Sequence, residues 1–359
     1  MAERTYGYGI IGCGVIAPFH ARAVGELPNA HLVAVADVVA ARAERCADEF
    51  GAEAHTEVDA LLARPDVDVV SVCVPSGLHA EIGVRAAAAG KHVVVEKPID
   101  ITLEAADRLI AACRDNGVTM TVISQNRFRP AVQRLRELID TGRLGRLVVG
   151  DAVIKWYRSQ DYYDSGDWRG TWALDGGGCL MNQGVHYTDL LQWMMGPVDR
   201  VFGRCETAVH ERIEVEDVAV AVLHFASGAV GVLQASTAIY PGLPERLEVT
   251  GTGGTVVVEA GALRVCELKD EKGETSPYGA KLKRDEPAAE GNGGAADPSA
   301  ISHAGHRTQI ADLLEAVETG RPPAVTGEAA RLPLEIILAV YRSAREGREV
   351  SLPLVPSPS

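Results

Sequence analysis

Three short stretches carry residue types that could do chemistry. In DGGGCLMNQGVHYTDLLQW, Asp175 to Trp193, an amide (Asn182), an imidazole (His186) and a carboxylate (Asp189) follow three glycines at roughly helical spacing. On an α-helix such residues share a face, so with Trp193 they form one stripe, while Leu190, Leu191 and Met194 turn towards a core. His186, with an ordinary pKa near ~6.5, can take or give a proton close to neutrality. A satisfied polar face is the plainer account, and the three glycines are expected to let backbone approach a cofactor or substrate. In VVVEKPI, Lys97 follows three valines and Glu96 and precedes Pro98. An amine stripped of water there can hydrogen-bond a substrate hydroxyl and stabilise a developing alkoxide. The alternative is a solvated lysine paired with Glu96, and Pro98 leaves open a cis peptide.

The third stretch is YGYGIIGCGVIAPFHARAVGEL, in which Gly12, Gly14 and Ala17 fit G-x-G-x-x-A. The first glycine permits a tight turn, the second lets backbone approach a pyrophosphate, and the small third residue lets helix pack on strand. A second apolar run, HLVAVAD, ends at Asp37, twenty residues beyond Ala17. A carboxylate there accepts from ribose hydroxyls and repels a 2′-phosphate, so NAD is expected, with NADP possible because Arg42 lies nearby. The competing account is that Asp37 merely caps the helix after it.

These residues need elements to hold them. Residues 1–125 alternate strand and helix, which implies crossover units and a parallel sheet, a dinucleotide-binding α/β Rossmann domain. Ligands of such sheets sit beyond the carboxyl ends of the strands. The expected cofactor contacts are therefore Gly12, Gly14, Val15, Ile16, Asp37, Pro75, Ser76, His79, Glu96, Lys97 and Gln125. Residues 126–359 read as an α+β domain for substrate binding and oligomerisation. It has one helix in PAVQRLRELIDTG and then strand-rich runs joined by hairpin turns at Ala226–Gly228 and Gly251–Gly254, giving a large, open-faced, mostly antiparallel sheet. The last helix, LPLEIILAVYRSAREG, could pack back on the first domain, and Glu271 to Ala300 reads as a mobile loop rather than a lid.

The segment KWYRSQDYYDSGDWRGTW, Lys155 to Trp172, interleaves six aromatics with charged residues. Aromatic faces suit the C–H side of a sugar ring and charged groups suit its hydroxyls. Lys155, Tyr157, Trp168 and Arg169, with Asn182 and His186, are the substrate-side candidates; a subunit interface would show the same enrichment. His303 and His306 read as structural. No His, Asp and Glu set has ligand spacing, so no metal is expected.

A net charge of −14 excludes a broad nucleic-acid surface, though backbone dipoles can still hold an anionic cofactor. Seven scattered cysteines suit a reducing compartment. No apolar run approaches the ~18 residues of a membrane span, and the segment before the first glycine motif is too short for a leader. A cytoplasmic location without membrane or nucleic-acid partners is expected.

Together the fingerprint, E-K-P at 96–98, and G-G-x-x-x-N-x-x-x-H from Gly177 to His186 followed by Asp189-Leu190 resemble the Gfo/Idh/MocA oxidoreductases over essentially the whole chain. The resemblance implies an NAD(P)-dependent dehydrogenase or reductase of sugars, nucleotide sugars or cyclitols, and a homodimer or homotetramer paired through the second sheet. It also implies catalytic roles for Lys97 and His186. Asn182 stands where inositol dehydrogenase-like members carry aspartate, which weakens the case for an inositol. Two other functions stay open: glycoside cleavage through transient oxidation by bound NAD, and a dinucleotide-sensing regulatory protein.

Overall fold

Six short strands build the first sheet: β1 (Tyr6–Ile11), β2 (Ala30–Ala36), β3 (Glu53–His55), β4 (Val69–Val72), β5 (His92–Val95) and β6 (Met120–Val122). All pair in parallel, in the order β3-β2-β1-β4-β5-β6. β1 and β4 are buried at every residue, as expected of strands covered on both faces. The helices between them are α1 (Ala17–Gly25), α2 (Ala40–Phe50), α3 (Val58–Leu62), α4 (His79–Ala88) and α5 (Leu103–Asp115). Strand order reverses between β1 and β4, so the ligand crevice of such a sheet opens beyond their carboxyl ends.

The computed structural model describes residues 4–269 and 302–354, so the stretch from Glu271 to Ala300, expected as a loop, lies outside the described residues. Among these, one compact unit holds the chain up to Gln125, Trp172–Gly176 and 302–334; the other holds Asn126–Thr171, 177–269 and the chain from Glu335. The late segment completes the first unit's core. It supplies α9 (Ala304–Thr319), whose Ile310, Leu313 and Leu314 join Tyr6, Tyr8, Ala21 and Val24 in one apolar cluster. Gln309 is fully buried there: its amide donates to Val122 O and Thr121 Oγ1, and its oxygen accepts from Ser124 N.

The second unit is built on eight strands: β7 (Leu147–Lys155), β8 (Val198–Glu206), β9 (Val218–Phe225), β10 (Val230–Ser236), β11 (Arg246–Gly251), β12 (Gly254–Glu259), β13 (Ala262–Leu268) and β14 (Val350–Ser351). Their order is β13-β12-β11-β7-β10-β9-β8-β14, and every pairing is antiparallel except β7 with β10. β9 and β10 alternate buried and exposed residues, as in a sheet covered on one face. The open face is apolar in part: Phe202 and Val232 both pair with Val222, and all three are exposed, at 43, 38 and 43 %. The covered face packs against α8 (Val185–Met195), and α6 (Pro130–Asp140) and the short α7 (Gln160–Asp164) lie in the same unit. α10 (Gly327–Glu346) gives residues to both units. Among the described residues no helix is long and apolar enough to cross a membrane.

Candidate active site

The glycine turn between β1 and α1 behaves as its spacing implies. Gly12 has φ +94°, and a Cβ there would lie 2.5 Å from Cys73 O, so only glycine fits. Gly14 differs: a Cβ would meet nothing within 4 Å. Gly14 and Val15 are exposed and Ile16 is half-buried, leaving the backbone before α1 accessible to a phosphate, while Ala17 is fully buried. Asp37 stands just past β2 and accepts from Cys13 N and Val39 N, both at 2.8 Å. Val39 is the N-cap of α2, so the capping account is partly right. A carboxylate has about four acceptor sites, and two further ones suit a ribose diol.

The other cofactor candidates also follow strand ends. Pro75 and Ser76 come after β4, Glu96 and Lys97 after β5, and Gln125 after β6. Gln125 Oε1 is buried without a hydrogen-bond partner, which fits a ligand rich in hydroxyl and amide donors. His79 is buried, with Nδ1 2.7 Å from Pro98 O and Nε2 2.9 Å from Val74 O, so both nitrogens face backbone carbonyls. Burial lowers its pKa. The Lys97–Pro98 peptide is cis.

Glu96 is engaged by two histidines. Its carboxylate is buried, 2.9 Å from His20 Nε2 and 3.3 Å from His306 Nε2, and it accepts from Lys97 N at 3.2 Å. His20 Nδ1 meets Ser71 Oγ at 2.8 Å, and Ser71 meets the Tyr8 hydroxyl at 2.7 Å. Burial alone would raise Glu96, but the two imidazoles outweigh it and hold its pKa well below the ordinary value. The donor atoms of His20, Glu96 and His306 lie within 4.8 Å of one another, the one metal-ligand type group found among the described residues. Positions 20, 96 and 306 share no local pattern, so sequence spacing could not find it.

In the second unit, Asn182 falls in a π-helical turn, Leu180–Gly184, that leads directly into α8, where His186 is the second residue. Both are half-buried. Two expectations need correcting. Asp189, though on the same face of α8 as His186, is not open to a ligand: it is buried and bidentate to Arg127, at 2.6 and 2.8 Å, with Trp193 over the same guanidinium. Nor do the glycines hold space for a ligand. A Cβ on Gly176 would lie 2.3 Å from Ile101 Cγ2, on Gly177 2.1 Å from Tyr341 Oη, and on Gly178 1.7 Å from Glu216 O. Their missing side chains admit protein.

What fixes this helix is Glu216, 3 % exposed and missed by sequence reasoning. It accepts from Gly178 N, Leu180 N and the Tyr341 hydroxyl, each at 2.9 Å, at the helix start where backbone N–H groups lack partners. Burial pushes its pKa up to about 7, against the pull of those donors.

Its neighbour Asp217 anchors the loop at Ala208–His210 and, through His210, the aromatic segment. It accepts from Ala208 N, Val209 N and His210 N, and its Oδ2 lies 2.9 Å from His210 Nδ1. His210 Nε2 donates to Arg158 O at 2.7 Å. In that segment Lys155 ends β7, and Tyr157 packs edge-on against Tyr240, ring centroids 5.2 Å apart. Trp168 and Arg169 are together, the guanidinium 4.5 Å from the indole centroid and 4.4 Å from that of Tyr162. Gln183 reaches Tyr162 Oη at 3.3 Å and Asn182 Oδ1 at 3.4 Å, so Arg169, Tyr162, Gln183 and Asn182 form one connected corner. Tyr162 and Gln183 were not among the candidates.

A parallel sheet with a dinucleotide-type glycine turn, joined in one chain to a broad open-faced sheet, is the build of a two-domain dinucleotide-binding protein. Residues 6–124 match the oxidoreductase family with NAD-binding Rossmann fold, and residues 132–257 match the GFO/IDH/MocA C-terminal domain. The chain belongs to the Gfo/Idh/MocA family. It is 28 % identical to the myo-inositol 2-dehydrogenase of Thermotoga maritima over 353 residues, 96 % of this chain and 98 % of that one. It is 27 % identical to the scyllo-inositol 2-dehydrogenase (NAD(+)) of Bacillus subtilis, over 96 % of this chain and 95 % of that one. Among solved structures, the WlbA dehydrogenase of Bordetella pertussis in complex with NADH and UDP-GlcNAcA superposes with a TM-score of 0.86 and 31 % identity, covering 99 % of this chain and all of that one.

Two outcomes follow from this geometry. Gly14→Val should weaken NADH binding at least tenfold with little change in melting temperature, because the added group occupies ligand space, whereas Gly12→Ala should lower the melting temperature outright; fluorescence titration and thermal unfolding separate them. Glu216 holds a proton in the fold that the unfolded chain releases above about 4.5. Its stabilising contribution is therefore full below about 4.5 and is lost as pH rises through about 7. Relative to Glu216→Gln, wild-type stability should fall by roughly 2–3 kcal/mol between those limits, and a constant difference in denaturant titrations would contradict this assignment.

Proposed function

We propose that this protein transfers a hydride between NAD and a hydroxyl-bearing carbon of a sugar, nucleotide sugar or cyclitol, with Lys97 and His186 as the catalytic pair. The carrying observation is the station of Lys97. It is half-buried at the carboxyl end of β5, in the row of strand ends that flanks the dinucleotide turn, beside a carboxylate already engaged by two imidazoles. In this reading Gly12, Gly14, Val15, Ile16 and Asp37 hold the dinucleotide, with Pro75, Ser76, His79, Glu96 and Gln125 shaping the nicotinamide end. Bound NAD supplies the hydride acceptor.

The Lys97 ammonium donates to the reacting oxygen and stabilises the charge that develops there. His186 removes the hydroxyl proton and returns it in the reverse direction. Asn182, an amide without a titratable proton, orients the hydroxyl or the imidazole. Lys155, Tyr157, Trp168 and Arg169 contact the sugar. The inositol dehydrogenases and the NADH-bound WlbA dehydrogenase support a polyhydroxylated substrate class.

The same reading includes a cytoplasmic homodimer or homotetramer paired through the exposed sheet face, since an apolar row of this kind marks an interaction surface. Lys97→Ala and His186→Ala should each lower kcat for NADH formation by about 10²–10⁴-fold while leaving NADH affinity near wild type. The substrate screen is inositols, aldoses and nucleotide sugars, and wild-type turnover by Lys97→Ala removes the mechanism. For assembly, Val222→Lys together with Phe202→Lys should shift sedimentation towards monomer; an unchanged profile means that the contact lies elsewhere.

A further inference from the structure

Arg169 carries a charge that the proton and hydride steps do not use. Its guanidinium lies between the rings of Tyr162 and Trp168, and Nη1 donates to the Tyr162 hydroxyl at 2.9 Å. Among the described residues it makes no ion pair with a carboxylate within 4.0 Å. Aromatic faces on both sides displace water from the flat of the group and leave its edge, a planar fork of N–H donors, open to a planar or tetrahedral anion. A half-buried cation without a counterion is costly unless a ligand supplies the charge.

A second observation points the same way. Gln183 is 4 % exposed and its Oε1 is buried without a partner, while its Nε2 reaches the Tyr162 hydroxyl and Asn182 Oδ1. A lone buried acceptor calls for a hydroxyl donor. The corner thus presents one cationic fork and one hydroxyl acceptor, linked through Tyr162 to Asn182, one turn before His186. The Asp217–His210–Arg158 frame fixes the backbone of the aromatic segment, so the pair is held in place rather than assembled by a ligand. In a chain with a net charge of −14, a local positive edge is also what an acidic ligand needs in order to approach.

We propose that Arg169 and Gln183 form an anion-and-hydroxyl subsite, and that the substrates are acidic sugars bearing either a ring carboxylate or a nucleotide phosphate. The proposal rests on the dehydrogenase reading only in taking the ligand to be a sugar. Calorimetry on NADH-loaded protein with D-glucose, D-glucuronate, UDP-glucose and UDP-glucuronate tests it. If the fork reads a ring carboxylate, each uronate binds at least about tenfold tighter than its neutral partner, near 1.4 kcal/mol. If it reads phosphate, both UDP sugars bind tighter by that factor and the carboxylate adds nothing.

Either preference should shrink at high salt, collapse in Arg169→Gln and recover in part in Arg169→Lys, which keeps the charge and loses the fork. Equal affinities throughout, no binding of any probe, or a preference that survives Arg169→Gln overturns the subsite. Should Arg169→Gln fail to fold, the wild-type preference and its salt dependence decide. NADH formation is followed in parallel. Turnover of the acidic sugars undiminished in Arg169→Gln removes the subsite and leaves the dehydrogenase standing. Arg169-dependent anion binding without NADH formation from any probe does the reverse.

Discussion

Two adjacent carboxylates organise the second unit from opposite sides. Glu216 reaches the start of the π-helical turn that precedes α8, and Asp217 reaches the loop at Ala208–His210. They lie immediately before β9, where successive side chains point to opposite faces. Burial acts upward on both acids, yet the outcomes diverge. Glu216 rises, whereas His210 and three backbone N–H groups bring Asp217 well below its ordinary value. One short extended segment therefore sets the helix carrying Asn182 and His186 and, through His210, the aromatic segment around Arg158. A substitution that displaced this segment would disturb both together.

The first unit solves a different electrostatic problem. An acidic protein has to accommodate an acidic cofactor, and what the β1–α1 turn offers is backbone rather than side-chain charge. The exposed turn before α1 offers the positive end of a helix, and Asp37 places a carboxylate at the end of β2, suited to hydroxyls rather than phosphate. Deeper in, Glu96 keeps its charge because two imidazoles hydrogen-bond to it.

Much of this was legible in the residues themselves. The alternation of buried runs and helices gave the parallel sheet because burial on both faces writes continuous apolar strands. The shift to alternating patterns after residue 126 gave the open-faced sheet because one face meets water. G-x-G-x-x-A was readable since each position has its own steric reason. Long-range pairings were not. Nothing near Asp189 announces Arg127, and nothing in the glycine run shows that Tyr341 and Glu216 occupy the space where a ligand was expected. The π turn also escaped, because a helical stripe read at 3.6 residues per turn assumes a regular ladder. Gln183, hidden between a candidate amide and a glycine, acquires meaning only through Tyr162 and Arg169.

The first unit is discontinuous in the chain, and α9 fills its core with Ile310, Leu313 and Leu314. During synthesis its six strands leave the ribosome long before that helix does. At ~5–20 residues per second, the gap of about 180 residues is a wait of roughly ten to thirty seconds. Over that interval the nascent sheet keeps an apolar flank bare around Tyr6, Tyr8 and Val24, and Glu96 lacks one of its two imidazoles. The nucleotide-binding half is thus the first to be translated and among the last to be finished, which makes it the part of the polypeptide with most need of a chaperone's shelter.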